Sequence, residues 1–301
     1  MLDTKLSTPP TDEPESAQSV TPRTVTSTPT PTPTSTRASR PVVLVTGAAK
    51  RLGRAIALDL ARHGFDIAVH YRESHADAQH TLAELEAVGA RAYAFQADLS
   101  IEAACCALVP LVVAQFGRLD GVVNNASTFE PDDPASFSMA AMDRHWRANT
   151  APAVLLAQAL HAQLLSQRGP GAASAAHTTG CVVNLLDQKL WNLNPDYFSY
   201  TLSKAALQTA TVMLAQALAP CVRVCGVAPG VTMASNLMTD SVFATAHTMT
   251  PLLRSSTPDD IARAVRFLIE SPAITGTTLL VDGGQHLSAH PRDVLYLAQS
   301  S

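Results

Sequence analysis

A short apolar run, Val42-Val43-Leu44-Val45, meets a glycine-containing turn and then a helical pattern. This unit limits the folds open to the chain more than any other stretch. The turn reads Thr46-Gly47-Ala48-Ala49-Lys50-Arg51-Leu52-Gly53, and from Arg54 to Ala61 apolar residues recur at helical spacing. Glycine between a buried strand and a helix lets the backbone approach a pyrophosphate closely. The helix start adds free N–H groups and the positive end of its dipole. Gly47, Arg51, Leu52 and Gly53 are therefore candidate dinucleotide-binding residues. On their own, two glycines at this spacing are a weak signal; the strand before them and the helix after them give it meaning.

The same alternation continues along the chain. Strands are predicted at 66–72, 92–97, 121–125, 181–186, 222–227 and 278–281. Helices are predicted at 76–88, at 100–116 with Ser100 as cap and Gly117 at the end, at 139–165, at 200–219, and from Pro258 to about 271. Strands alternating with helices imply a doubly wound α/β sheet with parallel strands. In such sheets ligands sit beyond the carboxyl ends of the strands. Gly47, Arg72, Asp98, Asn125, Asp187 and Pro229 all fall at predicted strand ends, so six segments point polar or glycine residues at one edge. Residues 1–40 are a Thr/Pro/Ser tract with too few apolar side chains to offset ordering, so a disordered or polyproline-like tail precedes a domain over 41–301. The Gly/Ala/Ser-rich stretch 167–179 reads as a mobile surface loop. The irregular Thr/Met-rich stretch 231–256 reads as a lid.

The second strand ends in His70-Tyr71-Arg72, where an NAD site usually carries a carboxylate for the ribose 2′-OH. With Lys50 and Arg51 nearby, these residues suit a 2′-phosphate and favour NADPH, although Glu73 follows directly. The third and fourth strand ends add Asp98-Leu99 and Asn125-Ala126-Ser127, and the sixth adds Pro229-Gly230, to the candidate cofactor-binding set.

Charge and cysteine usage exclude other classes. A formal net charge of −4 gives no bulk attraction to nucleic acid or a membrane surface. The 5 cysteines are an odd number scattered through apolar segments, which fits a reducing, cytoplasmic setting rather than a disulfide framework. Cys221 and Cys225 lie in an extended run, where four residues span roughly 13 Å, too far to share a metal. The 10 histidines are spread singly, so no metal site is expected. No run is apolar enough to span a membrane, and the start lacks a secretory layout.

The reactive candidates lie between the fifth strand and the next helix. Tyr200 and Lys204 are four apart on a helix, one turn apart on one face. A cation beside a phenol favours the phenolate, and a tuned phenol can donate and recover a proton. Asp187, at the end of the fifth strand, would oppose that pull.

The ordered set Thr46-Gly47…Gly53, Asp98, Asn124-Asn125-Ala126, Asn149, Tyr200…Lys204, Pro229-Gly230 and Val281-Asp282-Gly283-Gly284 resembles the short-chain dehydrogenase/reductases over residues 41–285. The resemblance implies a single Rossmann-type domain of about seven strands, assembled as a homotetramer. Three departures are informative: Arg51 and Ser127 stand where the family usually has glycine, and Asp187 stands where it usually has serine, thirteen residues before the tyrosine. All three resemble the pteridine and dihydromonapterin reductases. That resemblance implies that Phe129 stacks on a pterin, and that Arg51 and Ser127 touch cofactor phosphate and substrate. It also implies that Lys204 holds the nicotinamide ribose, and that Asn149 holds the helix and a relay water. A reductase of a pteridine C=N bond is thus expected, with Tyr200 as proton donor and Ser127, Phe129, Asp187 and Tyr200 at the substrate. A carbonyl or 3-oxoacyl-thioester reductase and a non-catalytic NADPH sensor are the alternatives. The intact Tyr200–Lys204 pair argues against the sensor, because binding alone needs no proton donor.

Overall fold

The computed structural model describes residues 40–167, 180–235 and 238–300. The Thr/Pro tail and all but Gln167 of the 167–179 stretch lie outside the described residues. Seven parallel strands form one sheet in the order β3-β2-β1-β4-β5-β6-β7. They are β1 Val42–Val45, β2 Asp66–Tyr71, β3 Ala92–Gln96, β4 Gly121–Asn124, β5 Gly180–Leu185, β6 Val222–Pro229 and β7 Thr278–Val281. Each lies within two residues of its expected bounds.

The strands read as unbroken apolar runs because both faces of the sheet are covered. Val43 and Val45 face one core with α1 (Arg51–Arg62), α2 (His75–Ala87) and α8 (Pro258–Glu270). Val42 and Leu44 face a second core with α3 (Glu102–Phe116), α5 (Ala151–Ser166) and α6 (Phe198–Ala217). The chain winds outward from β1 to β3 and then returns to β4 on the other side of β1. The register Val43↔Ile67 and Val43↔Gly121 places β2 and β4 on either side of β1. The carboxyl ends of β1 and β4 therefore flank the crevice where the winding reverses, the place such sheets use for ligands.

The helices depart from expectation in instructive ways. Ser100 does not cap α3, which starts from Ile101. Its hydroxyl donates instead to Asp98 Oδ1 at 2.7 Å. The predicted helix over 139–165 divides into α4 (Met139–His145), a π-helical turn at Trp146–Thr150 and α5. α6 begins at Phe198, two residues earlier than expected, after Tyr197 in the left-handed region at φ 55°. The stretch 231–256 is not wholly irregular. It contains α7 (Asp240–Thr248), whose first turn is capped by Thr239 accepting from the Val242 N–H. A short C-terminal helix, α9 (Val294–Gln299), was not anticipated. The capping box of α8 is present, with Thr257 and Asp260 satisfying each other's backbone N–H groups. Cys221 and Cys225 are both buried and unpaired, as small apolar residues would be. Among the described residues, no helix is long and apolar enough to cross a membrane.

Candidate active site

The glycine turn opens a cavity of about 380 Å³ at the carboxyl edge of the sheet. Gly47 holds φ +64°, a region glycine enters without a Cβ clash. A Cβ on Gly53 would fall 2.3 Å from the Gly47 carbonyl oxygen, so only glycine lets the helix start this close to the turn. No side chain caps α1, leaving its first N–H groups facing the cavity. An uncapped helix start is a ready-made anion site. Lys50, Arg51 and Arg72 line the same space.

Two buried hydrogen bonds hold this wall. The Gly47 N–H donates to His70 Nδ1 at 3.1 Å, so that nitrogen carries no proton. His70 Nε2 then donates to the Ala97 carbonyl, also at 3.1 Å. Burial pushes the imidazole down to about 4, so it stays neutral. On the opposite wall the Asn125 amide donates to the Thr46 carbonyl at 2.9 Å, and the Ala126 N–H donates to Thr46 Oγ1 at 3.0 Å. Burial raises the Asp98 carboxyl, but the two hydrogen bonds from Ser100, with Arg72 and His70 nearby, outweigh it and hold the carboxyl below its usual range.

Most of the expected cofactor residues meet in this cavity. Gly47, Arg51, Leu52 and Gly53 come from the turn, His70 and Arg72 from the end of β2, Asp98 and Leu99 from β3, and Asn125, Ala126 and Ser127 from β4. Tyr71 does not line it: the side chain is buried and its hydroxyl bonds His75 Nδ1 at 2.9 Å. Pro229 and Gly230 do not line it either. Gly230 is needed for packing, since a Cβ there would lie 2.3 Å from Ser255 Oγ. Lys50, expected only as a nearby cation, also lines it, as do Ala97, Ser100, Thr128 and Ala148, which were not expected. Lys50 was legible in the turn, whereas Ala148 reaches the cavity only through the π-helical turn.

The Tyr200–Lys204 pair and Asp187 do meet. The Tyr200 hydroxyl donates to Asp187 Oδ2 at 2.8 Å, and Asp187 Oδ1 accepts the Lys189 backbone N–H at 2.8 Å. Burial raises the Asp187 carboxyl above its ordinary range, against the pull of those two hydrogen bonds. Burial, and then the Asp187 charge, hold the Tyr200 phenol well above its ordinary value. Lys204 does not lower it. The Lys204 ammonium donates to the Leu185 carbonyl at 2.7 Å and stands 5.8 Å from the Tyr200 ring centre, while burial brings its own value down to about 8. Of the two opposing influences expected on the phenol, the carboxylate prevails, so Tyr200 is a protonated donor.

Two more expected residues frame this centre. Asn149 sits in the π-helical turn, a feature frequent at functional sites. Its amide is fully engaged: the oxygen accepts from Ser127 Oγ and the Thr128 N–H, and the nitrogen donates to the Thr128 carbonyl and Ser203 Oγ. Ser203 Oγ in turn donates to the Tyr200 carbonyl at 2.7 Å, which ties the cavity wall to α6. Phe129 stacks on Tyr197 at 4.1 Å and packs T-shaped with Tyr200 at 4.7 Å, while the residue remains 42% exposed. Tyr197 was not singled out in the sequence, although its position three residues before Tyr200 was an available signal.

Fold and site together define a Rossmann-type oxidoreductase that uses a nicotinamide dinucleotide. The family model described as "Enoyl-(Acyl carrier protein) reductase" matches residues 47–286. Pteridine reductase 1 of Leishmania tarentolae is 34% identical, covering 84% of this chain and 99% of its own length. The structure of FolM alternative dihydrofolate reductase 1 from Brucella canis, complexed with NADP, is 38% identical with a TM-score of 0.73, covering 83% of this chain and 96% of that one. The 3-oxoacyl-[acyl-carrier-protein] reductase FabG of Staphylococcus aureus is 32% identical, covering 81% of this chain and 97% of its own length. The chain belongs to the short-chain dehydrogenase/reductase family.

Proposed function

We propose that the chain reduces a C=N bond in a pteridine ring of the dihydrobiopterin, dihydromonapterin or dihydrofolate type, with NADPH as reductant. The observation that carries this reading is the Tyr200 hydroxyl donating to the Asp187 carboxylate at 2.8 Å. A ketone reductase must stabilise an oxygen that gains negative charge. A hydroxyl in place of Asp187 could donate to that oxygen, whereas a carboxylate repels it. A ring nitrogen instead gains a proton, and a carboxylate can accept the amino and ring N–H groups of a pterin. Phe129, partly exposed beside Tyr200, offers an aromatic contact for such a ring.

The residues present fit a dinucleotide. The close Gly47–Gly53 approach, the uncapped start of α1 and the cations Lys50, Arg51 and Arg72 suit phosphates, including one at the ribose 2′ position. Glu73 is not part of the lining and pairs with Arg72 at an exposed site, where such a pair is worth little. Gly47, Arg51, Leu52, Gly53, Asp98, Leu99, Asn125, Ala126 and Ser127 would hold the cofactor along the groove, with Tyr200, Lys204 and the Pro229-Gly230 segment toward the nicotinamide. NADPH supplies the hydride when bound. Tyr200 supplies the proton, Asp187 orients the substrate and takes part in proton delivery, and Lys204 holds the ribose. Asn149 acts by position, through Ser203 and Thr128. The same reading takes 41–301 as one catalytic domain and its assembly as a cytoplasmic homotetramer.

The test is NADPH consumption by purified protein offered dihydrobiopterin, dihydrofolate, a simple ketone or acetoacetyl thioester. Turnover of the pterins, with NADPH bound more tightly than NADH, is expected. Brisk turnover of the ketone or thioester with none of any pterin would overturn the substrate assignment. Equal affinity for NADH would overturn the roles of Arg51 and Arg72.

A further inference from the structure

Lys189 is buried to 3% exposure, yet it takes no part in the Tyr200–Lys204 pair. A buried ammonium is costly unless an anion meets it. Its partner comes from the far end of the chain: Nζ lies 3.0 Å from Asp293 Oδ2. It also donates to Asn194 Oδ1 and stands 5.6 Å from the Tyr197 ring centre. The backbone N–H of the same residue donates to Asp187 Oδ1. Asp293 caps α9, its other oxygen accepting from the Leu295 N–H at 3.1 Å. Leu295 then packs against Tyr197 and Tyr200. One residue thus grips the candidate reactive carboxylate with its backbone and the C-terminal helix with its side chain.

We propose that Lys189 and Asp293 are positioning residues for the reaction: their ion pair locks the turn that presents Asp187 and partly offsets the negative charge that Asp293 places near Asp187 and Tyr200. The proposal rests on the reading of Asp187 and Tyr200 given above. The charged and titratable groups acting on Asp187 are Tyr200 and Lys204 from α6 and Asp293 from the C-terminal segment, while Lys189 reaches it through its backbone N–H. The His145 ring of α4 stands 6.3 Å from that of Tyr200. Behind them, Asp196 is matched by Arg292 at 2.8 Å, so it adds little net field. On top of burial, Asp293 pushes both the Asp187 carboxyl and the Tyr200 phenol upward. The Lys189 ammonium meets the Asp293 charge at 3.0 Å.

The sign of each change follows. Lys189→Met leaves Asp293 unbalanced, which raises the Asp187 carboxyl. Asp293→Asn leaves the lysine unbalanced, which lowers it. The measurement is kcat/KM for dihydrobiopterin against pH, with the Asp187 limb defined as the one that Asp187→Asn removes. The two single variants should move that limb in opposite directions by about one pH unit, ten-fold in the acid constant. The Lys189→Met/Asp293→Asn double variant should return it to the wild-type position with a lower kcat, because the lock is gone. NADPH affinity, measured by fluorescence titration, should stay unchanged throughout. A shift of both singles in the same direction, or no shift in either, overturns the proposal. If Asp187→Asn leaves every limb in place, the assignment of Asp187 fails instead. Should a single variant not fold, Asp293→Glu keeps the charge and displaces the pair. A kcat about ten-fold lower with NADPH affinity intact is then expected, and an unchanged kcat overturns the lock.

Discussion

Arg51 holds a backbone angle, φ 55°, that glycine would adopt without strain. For a residue with a Cβ this costs about 1–2 kcal/mol. Its side chain lines the cavity and donates to the Ala234 carbonyl at 2.6 Å. Arg51→Gly should therefore leave the melting temperature unchanged or slightly raised, while weakening NADPH binding about ten-fold. That loss corresponds to one charge-assisted contact. Weaker stability with unchanged NADPH affinity would contradict this role. Tyr200 carries a different burden. Burial and Asp187 keep it a protonated phenol, and under the proposed function it would serve as the acid, so Tyr200→Phe should lower kcat by about 10²–10⁴-fold with cofactor affinity retained. Stopped-flow NADPH oxidation reads this directly, and an undiminished rate would remove Tyr200 from the chemistry. At this scale the sequence was most legible where spacing is local. Tyr200, Lys204 and Asp187 follow from helical period and strand end. Lys189 does not, because its meaning depends on Asp293, and nothing near either residue announces the other.

The turn between β1 and α1 depends on the element beside it. His70, at the end of β2, holds the Gly47 N–H only while its Nδ1 is unprotonated. Its value falls from 6.5 in an open chain to about 4 when folded, so between those limits the unfolded chain binds more protons. The stability that His70 supplies is therefore full above pH 6.5 and is lost as the pH falls toward 4, up to an amount on the order of 3 kcal/mol. Urea unfolding at pH 7 and pH 4.5 should show His70→Gln differing from wild type more at pH 7 than at pH 4.5. A constant difference would mean that folding does not lower the His70 value. Elements also mark where reading the sequence stops. Apolar runs located all seven strands because a sheet covered on both faces leaves little else for such runs to be. The helix over 139–165 was foreseen but its π-helical turn was not, since nothing in local propensity distinguishes an i→i+5 turn. α9 spans only Val294–Gln299, too short for a periodic signal, and it is held by Asp293 and by packing on Tyr197 and Tyr200.

At the scale of the whole molecule, the reversal of winding between β1 and β4 brings distant segments to one edge. Asn125 and Ala126 reach Thr46 across 79 and 80 positions of sequence, and the cavity draws on the ends of β1 to β4. That convergence was legible, because the order of strands and helices dictates which ends point together. The surroundings of the Tyr200–Asp187 pair were not. Around Asp187 and Tyr200, the 3₁₀ turn at Gln188–Trp191, Tyr197 and the C-terminal segment are joined through side chains rather than through any periodic pattern. Under the proposed function, this architecture delivers hydride to a ring C=N bond and a proton to its nitrogen. The most direct measurement uses NADPH carrying deuterium at the transferred position, with a dihydropterin and a ketone offered together and the products analysed by mass spectrometry and NMR. The label should appear on the ring carbon of the tetrahydropterin, and Asp187→Ser should abolish that transfer. Label found only on the carbinol carbon of the reduced ketone would contradict the account.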